Sequence, residues 1–428
     1  MKKQRETVDV DRYIDGDELV DLTQDLIRIP SVYRSQTRHN EEQVARFVAE
    51  WLTGIGVEPT FEQVTPSRPN VIAVLEGSES GPCLMFECHT DVVTEGDRSE
   101  WTHGPFDAEV ADGRIYGRGA CDTKGNLAAA LIAVKAIVVS KLGFNGRILL
   151  GILVDEEGMM AGVKDFIRRG WARDVDAAII CEPEDNQLCI AQKGALRAEI
   201  NACGKMSHGA MPLSGLNPNP PIAKIIAELS RLERAEIETH GRDRWLGFPS
   251  LTPTVLQAPV AGEPQLNVMP SHGRVWLDIR TIPGQSHDAL KAELNKIVDR
   301  VEAEVNGDLR TGFQGKIRRE LYGDVPEGLK LSIDLDILEE RVWTQTDRDE
   351  SIVSAVDEAI RQVTGKEPVY NGVPGATDGT FLWEAGIPIV TTGAGDRSVP
   401  HQVDEWVEID QLVETAKIYA LSAIKFLR

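Results

Sequence analysis

Five short segments end an apolar, strand-like run in side chains that can bind a metal ion. CLMFECHTDVV delivers His89 and Asp91, and RIYGRGACDTKG delivers Asp122. RILLGILVDEEG gives Asp155, Glu156 and Glu157; DAAIICEPED gives Glu182; IPIVTTGAGDRSVPHQVDE gives His401 and Glu405. A lone His-X-Asp or Glu-Glu is commonplace, but five such clusters, each behind a strand, are not. Ligands of open α/β sheets bind beyond the carboxyl ends of the strands, so the five should converge on one site. Imidazoles and carboxylates suit zinc, with manganese or cobalt as alternatives. His89 and Asp91 stand at i and i+2 on extended chain and point to one side, so His89 can ligate while Asp91 orients its ring. Glu156 and Glu157 would repel each other unless one binds a cation and the other carries a proton. GRGACDTKG lacks the GxxxxGK[ST] spacing of a phosphate loop.

The elements that must position these residues alternate in the first half. Helical periodicity covers Asp17 to Ile29, Asn40 to Ile55, Asn126 to Ser140 and the run VKDFIRRG. Strands are read at Asn70 to Gly77, Cys83 to Glu87, Arg147 to Val154 and Asp176 to Ile180. This predicts an α/β domain with a mostly parallel sheet covered by helices. After Lys193 the order becomes β-α-β-β-α-β, a ferredoxin-like arrangement. Residues 1–193 and 345–428 are therefore read as two parts of one catalytic domain, and 194–344 as an inserted domain.

The chain of 428 residues is 42% apolar and carries a net charge of −22. That acidity disfavours nucleic acid and anionic membrane as partners. The N-terminal MKKQRETVDVDRYIDGDELV has no apolar signal-peptide core, and no run of about 18 apolar residues spans a membrane. LAAALIAVKAIVV reads as a buried helix. Six cysteines without CxxC spacing point to a reducing cytoplasm.

HTDVV, GRGACDTKG, VDEEG, CEPE and PHQVDE resemble the signature blocks of the aminoacylase, acetylornithine deacetylase, succinyl-diaminopimelate desuccinylase and carboxypeptidase G family. The resemblance covers nearly the whole chain. It implies two divalent cations per subunit bridged by Asp122, with His89 and Glu182 completing one site and Glu157 and His401 the other. Glu156 would be the general base and acid. A cis peptide is expected between Asp122 and Thr123. The inserted domain would serve as a lid and form a homodimer. From it His208 would stabilise an oxyanion in the partner subunit, and Asn267 and Arg280 would hold a substrate carboxylate. Gly375 and Thr377, in PGATDG, match a glycine-rich substrate loop. Glu at position 182 resembles the deacylase branch, so the implied substrate is a small N-acyl amino acid. A dipeptidase or carboxypeptidase, an aminohydrolase acting on an aromatic amine, and a non-catalytic binding protein are the alternatives. Cys88, Cys121 and Cys181 stand where the family has small residues and should pack behind the site. Met159, Met160 and the missing proline of TTGAGD also depart from the family pattern and leave the substrate open, with room for a more apolar or aromatic one.

Overall fold

The computed structural model describes residues 10–33 and 41–428. The segment MKKQRETVD and the predicted helix start at Asn40 lie outside them. The chain separates into two compact units. The first takes the chain up to Gln192 with Thr344–Val373 and Thr377–Arg428, and the second takes Lys193–Trp343 with Pro374–Ala376.

Unit one begins with α1 (Gly16–Arg28), capped by the Asp15 carboxylate on the amides of Asp17 and Glu18, and α2 (Glu42–Gly54). It continues through β1 (Pro59–Thr65), β2 (Arg68–Glu76), β3 (Glu79–His89), β4 (Val110–Ala111), β5 (Arg114–Tyr116), α3 (Gly125–Ser140), β6 (Asn145–Leu153), α4 (Ala161–Arg169), β7 (Ala177–Ile180) and β8 (Leu188–Gln192). Unit two holds β9 (Gly194–Cys203), β10 (Ser207–His208), α5 (Asn219–His240), β11 (Ser250–Gln257), β12 (Val268–Met269), β13 (His272–Thr281), α6 (His287–Arg310), α7 (Phe313–Tyr322) and β14 (Ser332–Arg341). Unit one then resumes with β15 (Thr344–Gln345), α8 (Ser351–Thr364), β16 (Tyr370–Val373), α9 (Gly379–Glu384), β17 (Ile389–Thr391), β18 (Trp406–Glu408) and α10 (Ile409–Phe426).

The main sheet runs β1-β2-β6-β3-β7-β17-β8-β15, with β16 also on β8. Its centre, β6-β3-β7-β17, is parallel. The margins correct the expectation of a mostly parallel sheet: β1, β2 and β6 pair antiparallel, as do β17, β8 and β15. A two-residue connection between β1 and β2 permits only a hairpin, whereas parallel neighbours need a crossover. On one face α4 and α9 cover a core of Met85, Leu149, Leu153, Phe166, Ile180 and Leu382. On the other, α10 packs on α3 and α8, and Tyr419 meets Phe86 at 5.5 Å between ring centroids. The only described helix long and apolar enough to cross a membrane is Ala120–Ser140, and 78% of its apolar window is buried inside the fold.

Unit two is an antiparallel sheet, β11-β13-β9-β14, with α5 and α6 packed against it. Strict alternation along β13 buries Val275, Leu277 and Ile279 in a core with Ile225, Leu229, Leu294 and Val298. This is the β-α-β-β-α-β order read from the sequence, with α7 and the short β10–β12 ribbon added.

Candidate metal centre

Because the central strands are parallel, the carboxyl ends of β3, β6, β7 and β17 share one rim, and each leads into one of the acidic or imidazole clusters. His89, the last residue of β3, is buried. Its Nδ1 lies 2.9 Å from the Asp91 carbonyl and donates to it. That leaves Nε2 facing Asp122 Oδ1 at 3.1 Å and Glu182 Oε1 at 3.6 Å, where its N–H donates to Asp122 and, once deprotonated, its lone pair could take a cation. His401 Nε2 lies 3.3 Å from Asp122 Oδ2 and 2.9 Å from Glu157 Oε1. Donor atoms of His89, Asp122 and Glu182 lie within 4.8 Å of one another, and so do those of Asp122, Glu157 and His401. Asp122 is common to both groups. The Asp122–Thr123 peptide is cis, as anticipated.

Asp91 orients more than the imidazole. Its carboxylate stands 3.6 Å from His89 Nδ1, while its Oδ1 accepts from the Glu156 amide at 3.1 Å and its Oδ2 from the Glu157 amide at 3.0 Å. The Glu-Glu turn is thereby tied to the end of β3. Glu156 is buried and in neither ligand group.

Burial pushes the Asp122 carboxyl up, but hydrogen bonds from His401 and His89 outweigh it and hold it below the carboxylate range. The hydrogen bonds that His401 donates to Asp122 and Glu157 raise its own pKa to about 10. Glu156, Glu157 and Glu182 are all pushed up, first by burial; Asp122 adds to the shift of Glu157 and Glu182, and His89 partly offsets that of Glu156. Buried carboxylates this crowded call for positive charge among them, and the donor set fits divalent cations, which take deprotonated carboxylates and neutral imidazoles.

Two supports are not singled out in the sequence, and a third, Glu405, is read there only as a residue able to bind metal. Glu87 lies on the His89 face of β3, buried, with neither carboxylate oxygen hydrogen-bonded among the described residues. Burial, then the nearby Asp378, raises it well above its ordinary value. An acid inside the run CLMFEC was its signal. Second, Arg68 reaches Glu41 through Nε at 2.9 Å and Asp155 through Nη2 at 2.7 Å, all buried. Asp155, with φ 68°, also caps the amides of Met159 and Ala161 and so fixes the turn that carries Glu156. Arg68→Ala strands two buried carboxylates and should lower unfolding free energy by about 3–5 kcal/mol in urea denaturation. A loss below about 1 kcal/mol would contradict a structural role for the network. Third, Glu405 joins neither ligand group and accepts loop amides instead.

The thiols of Cys88, Cys121 and Cys181 are buried and absent from both ligand groups. Met160 is packed into the apolar core, so of the two methionines only Met159 is exposed. Thr377 directs both its amide and its hydroxyl to Gln192 Oε1, at 3.0 and 2.9 Å, while Gly375 has open space where a Cβ would stand. In unit two, His208 pairs with Val268 across the β10–β12 ribbon, and the Gly209 amide donates to the Asn267 carbonyl at 2.7 Å. His208 Nδ1 accepts from the Ala210 amide at 3.0 Å, which leaves Nε2 as the outward donor of the neutral ring. Arg280 pairs with Asp278 at 2.6 Å.

A model of peptidase family M20/M25/M40 matches residues 85–425. A succinyl-diaminopimelate desuccinylase of Methylobacterium radiotolerans is 30% identical, covering 94% of this chain and 95% of its own. The N-formyl-4-amino-5-aminomethyl-2-methylpyrimidine deformylase of Bacillus subtilis is 28% identical, covering 94% and 93%. The structure of an M20 family metallo-carboxypeptidase from Sulfolobus solfataricus superposes with a TM-score of 0.75 at 22% identity, over 96% of this chain and all of that one, a likeness of fold. The chain belongs to peptidase family M20/M25/M40 and is a metal-dependent hydrolase that cleaves C–N bonds.

Proposed function

We propose that this hydrolase uses two divalent cations to deacylate a small N-acyl amino acid. The observation that carries the reading is the pair of imidazole–carboxylate groups sharing Asp122, with Glu156 held beside them by Asp91. His89 and Glu182 would hold one cation and Glu157 and His401 the other, with zinc the expected ion and manganese or cobalt the alternatives. Bound there, the cations supply a water of lowered pKa and polarise the scissile carbonyl. Glu156 takes the proton of the attacking water and returns it to the leaving nitrogen. The Nε2–H of His208 is the oxyanion donor. Arg280 and Asn267 hold the substrate carboxylate, with Gly375 and Thr377 shaping the loop beside it. Glu182 and the acyl-removing relatives support deacylation over peptide cleavage.

We also infer a homodimer through unit two, with His208 acting in the partner subunit. β11 stands at the sheet edge with Val255 and Leu256 exposed, a strand that gains by pairing with a copy of itself. All six cysteines are free, which suits a reducing cytoplasm. A turnover screen of zinc-loaded protein tests the substrate class. N-succinyl, N-acetyl and N-formyl amino acids should be cleaved at least about tenfold faster, by kcat/KM, than dipeptides, N-formyl arylmethylamines or aromatic amines. Faster turnover of dipeptides or aromatic amines replaces the deacylase reading with the matching rival, and faster turnover of N-formyl arylmethylamines keeps deacylation but rules out an amino-acid substrate.

A further inference from the structure

Glu405 lies in the segment that delivers His401, yet it belongs to neither ligand group. Its side chain is fully buried. Oε1 accepts three amides from one loop: Gly119 at 3.1 Å, Cys121 at 3.0 Å and Asp122 at 3.0 Å. Oε2 receives the guanidinium of Arg118, itself buried, and the Glu405 carbonyl accepts the Gly117 amide at 2.8 Å. One residue thus takes most of the donors that the loop 117–122 turns inward. These amides belong to a loop rather than to a ladder, so without Glu405 they would be buried and unpaired.

The direction of these bonds separates this carboxylate from ordinary structural glue. One of the three amides is that of Asp122 itself, whose two carboxylate oxygens face His89 and His401. Fixing the Asp122 nitrogen fixes the point from which its side chain must reach both imidazoles. The same residue stands four positions beyond His401 and immediately before β18, which pairs with β5. Glu405 therefore ties the strand-end loop carrying Asp122 to the chain carrying His401.

We propose that Glu405 is the positioning residue of the shared carboxylate, setting Asp122 so that the two ligand groups form together. The inference rests on the two-cation reading above. Glu405→Gln keeps one acceptor oxygen for the loop amides but turns an amide N–H toward Arg118; Glu405→Ala removes the acceptors altogether. Stepwise zinc affinity of the metal-free protein, by competition with a chromophoric chelator, reads the role directly. Both steps should weaken by about 10–100-fold in Glu405→Gln and by more in Glu405→Ala, since partners of metal ligands carry effects of that size. In metal-free protein, hydrogen exchange of the peptide spanning 117–124 should be slow in the wild type and faster in the variants. A variant whose melting shows it folded and which binds both zinc ions with wild-type affinity overturns the proposal and leaves the two-cation reading standing. A wild type that binds fewer than two zinc ions defeats that reading, and the proposal falls with it. If neither variant folds, wild-type exchange still decides: an unprotected 117–124 peptide would show that the clamp does not exist.

Discussion

Glu156→Gln should bind its full complement of cations and lose about 10²–10⁴ of kcat. The two halves of this expectation come from different contacts. Metal retention follows because Glu156 is in neither ligand group, and the amide that positions it, bonded to Asp91, is unchanged by the substitution. Loss of turnover follows because glutamine cannot accept the proton of the attacking water or carry it to the leaving nitrogen. Metal content by emission spectrometry and kcat under saturating substrate read the two halves separately. Near-normal turnover would remove Glu156 from the mechanism, whereas loss of metal would make it a ligand.

The second large effect is a recovery. His208→Ala should cost about 10²–10³ of kcat if its Nε2–H stabilises the oxyanion. If that histidine serves the partner subunit, mixing inactive His208→Ala chains with inactive Glu156→Gln chains restores activity. Each mixed dimer holds one complete site, built from Glu156 of the first chain and the partner subunit's His208. Native mass spectrometry of tagged chains establishes that exchange has occurred. Verified mixed dimers without recovered activity exclude the trans role, and a monomer in sedimentation at working concentration excludes the assembly.

Much of the site could be read from the sequence because its donors obey short-range rules. His89 and Asp91 lie two apart on extended chain, and the clusters follow apolar strands that could only be interior. What could not be read depends on partners distant in the chain. Arg68 gains meaning only when Glu41 and Asp155 are brought to it, and Glu405 looked like one more metal-capable acid until the amides of 119–122 were seen to claim it. Thr377 matched a substrate loop, but its hydroxyl is committed to Gln192, a residue of β8 with no local signature. The antiparallel margins have no sequence signal, because periodicity reveals that a strand exists and not which neighbour it takes. α7 carries little signal of its own, because FQGKIRRELY is largely polar and buries only Gly315 and Arg318.

The order of strands in unit one bears on how the protein is made. β17 lies between β7 and β8, yet a ribosome delivers it only after all of Lys193–Trp343. Throughout synthesis of that long segment, β7 keeps an open edge and β8 has none of its partners β15, β16 and β17, while every proposed ligand but His401 has already been translated. A nascent chain arrested there presents the open edge of β7, a β8 with no strand partner, and a cluster of carboxylates with no second imidazole. Closure of the sheet and completion of the proposed ligand set thus fall to the same late stretch of chain, from Thr344 onward.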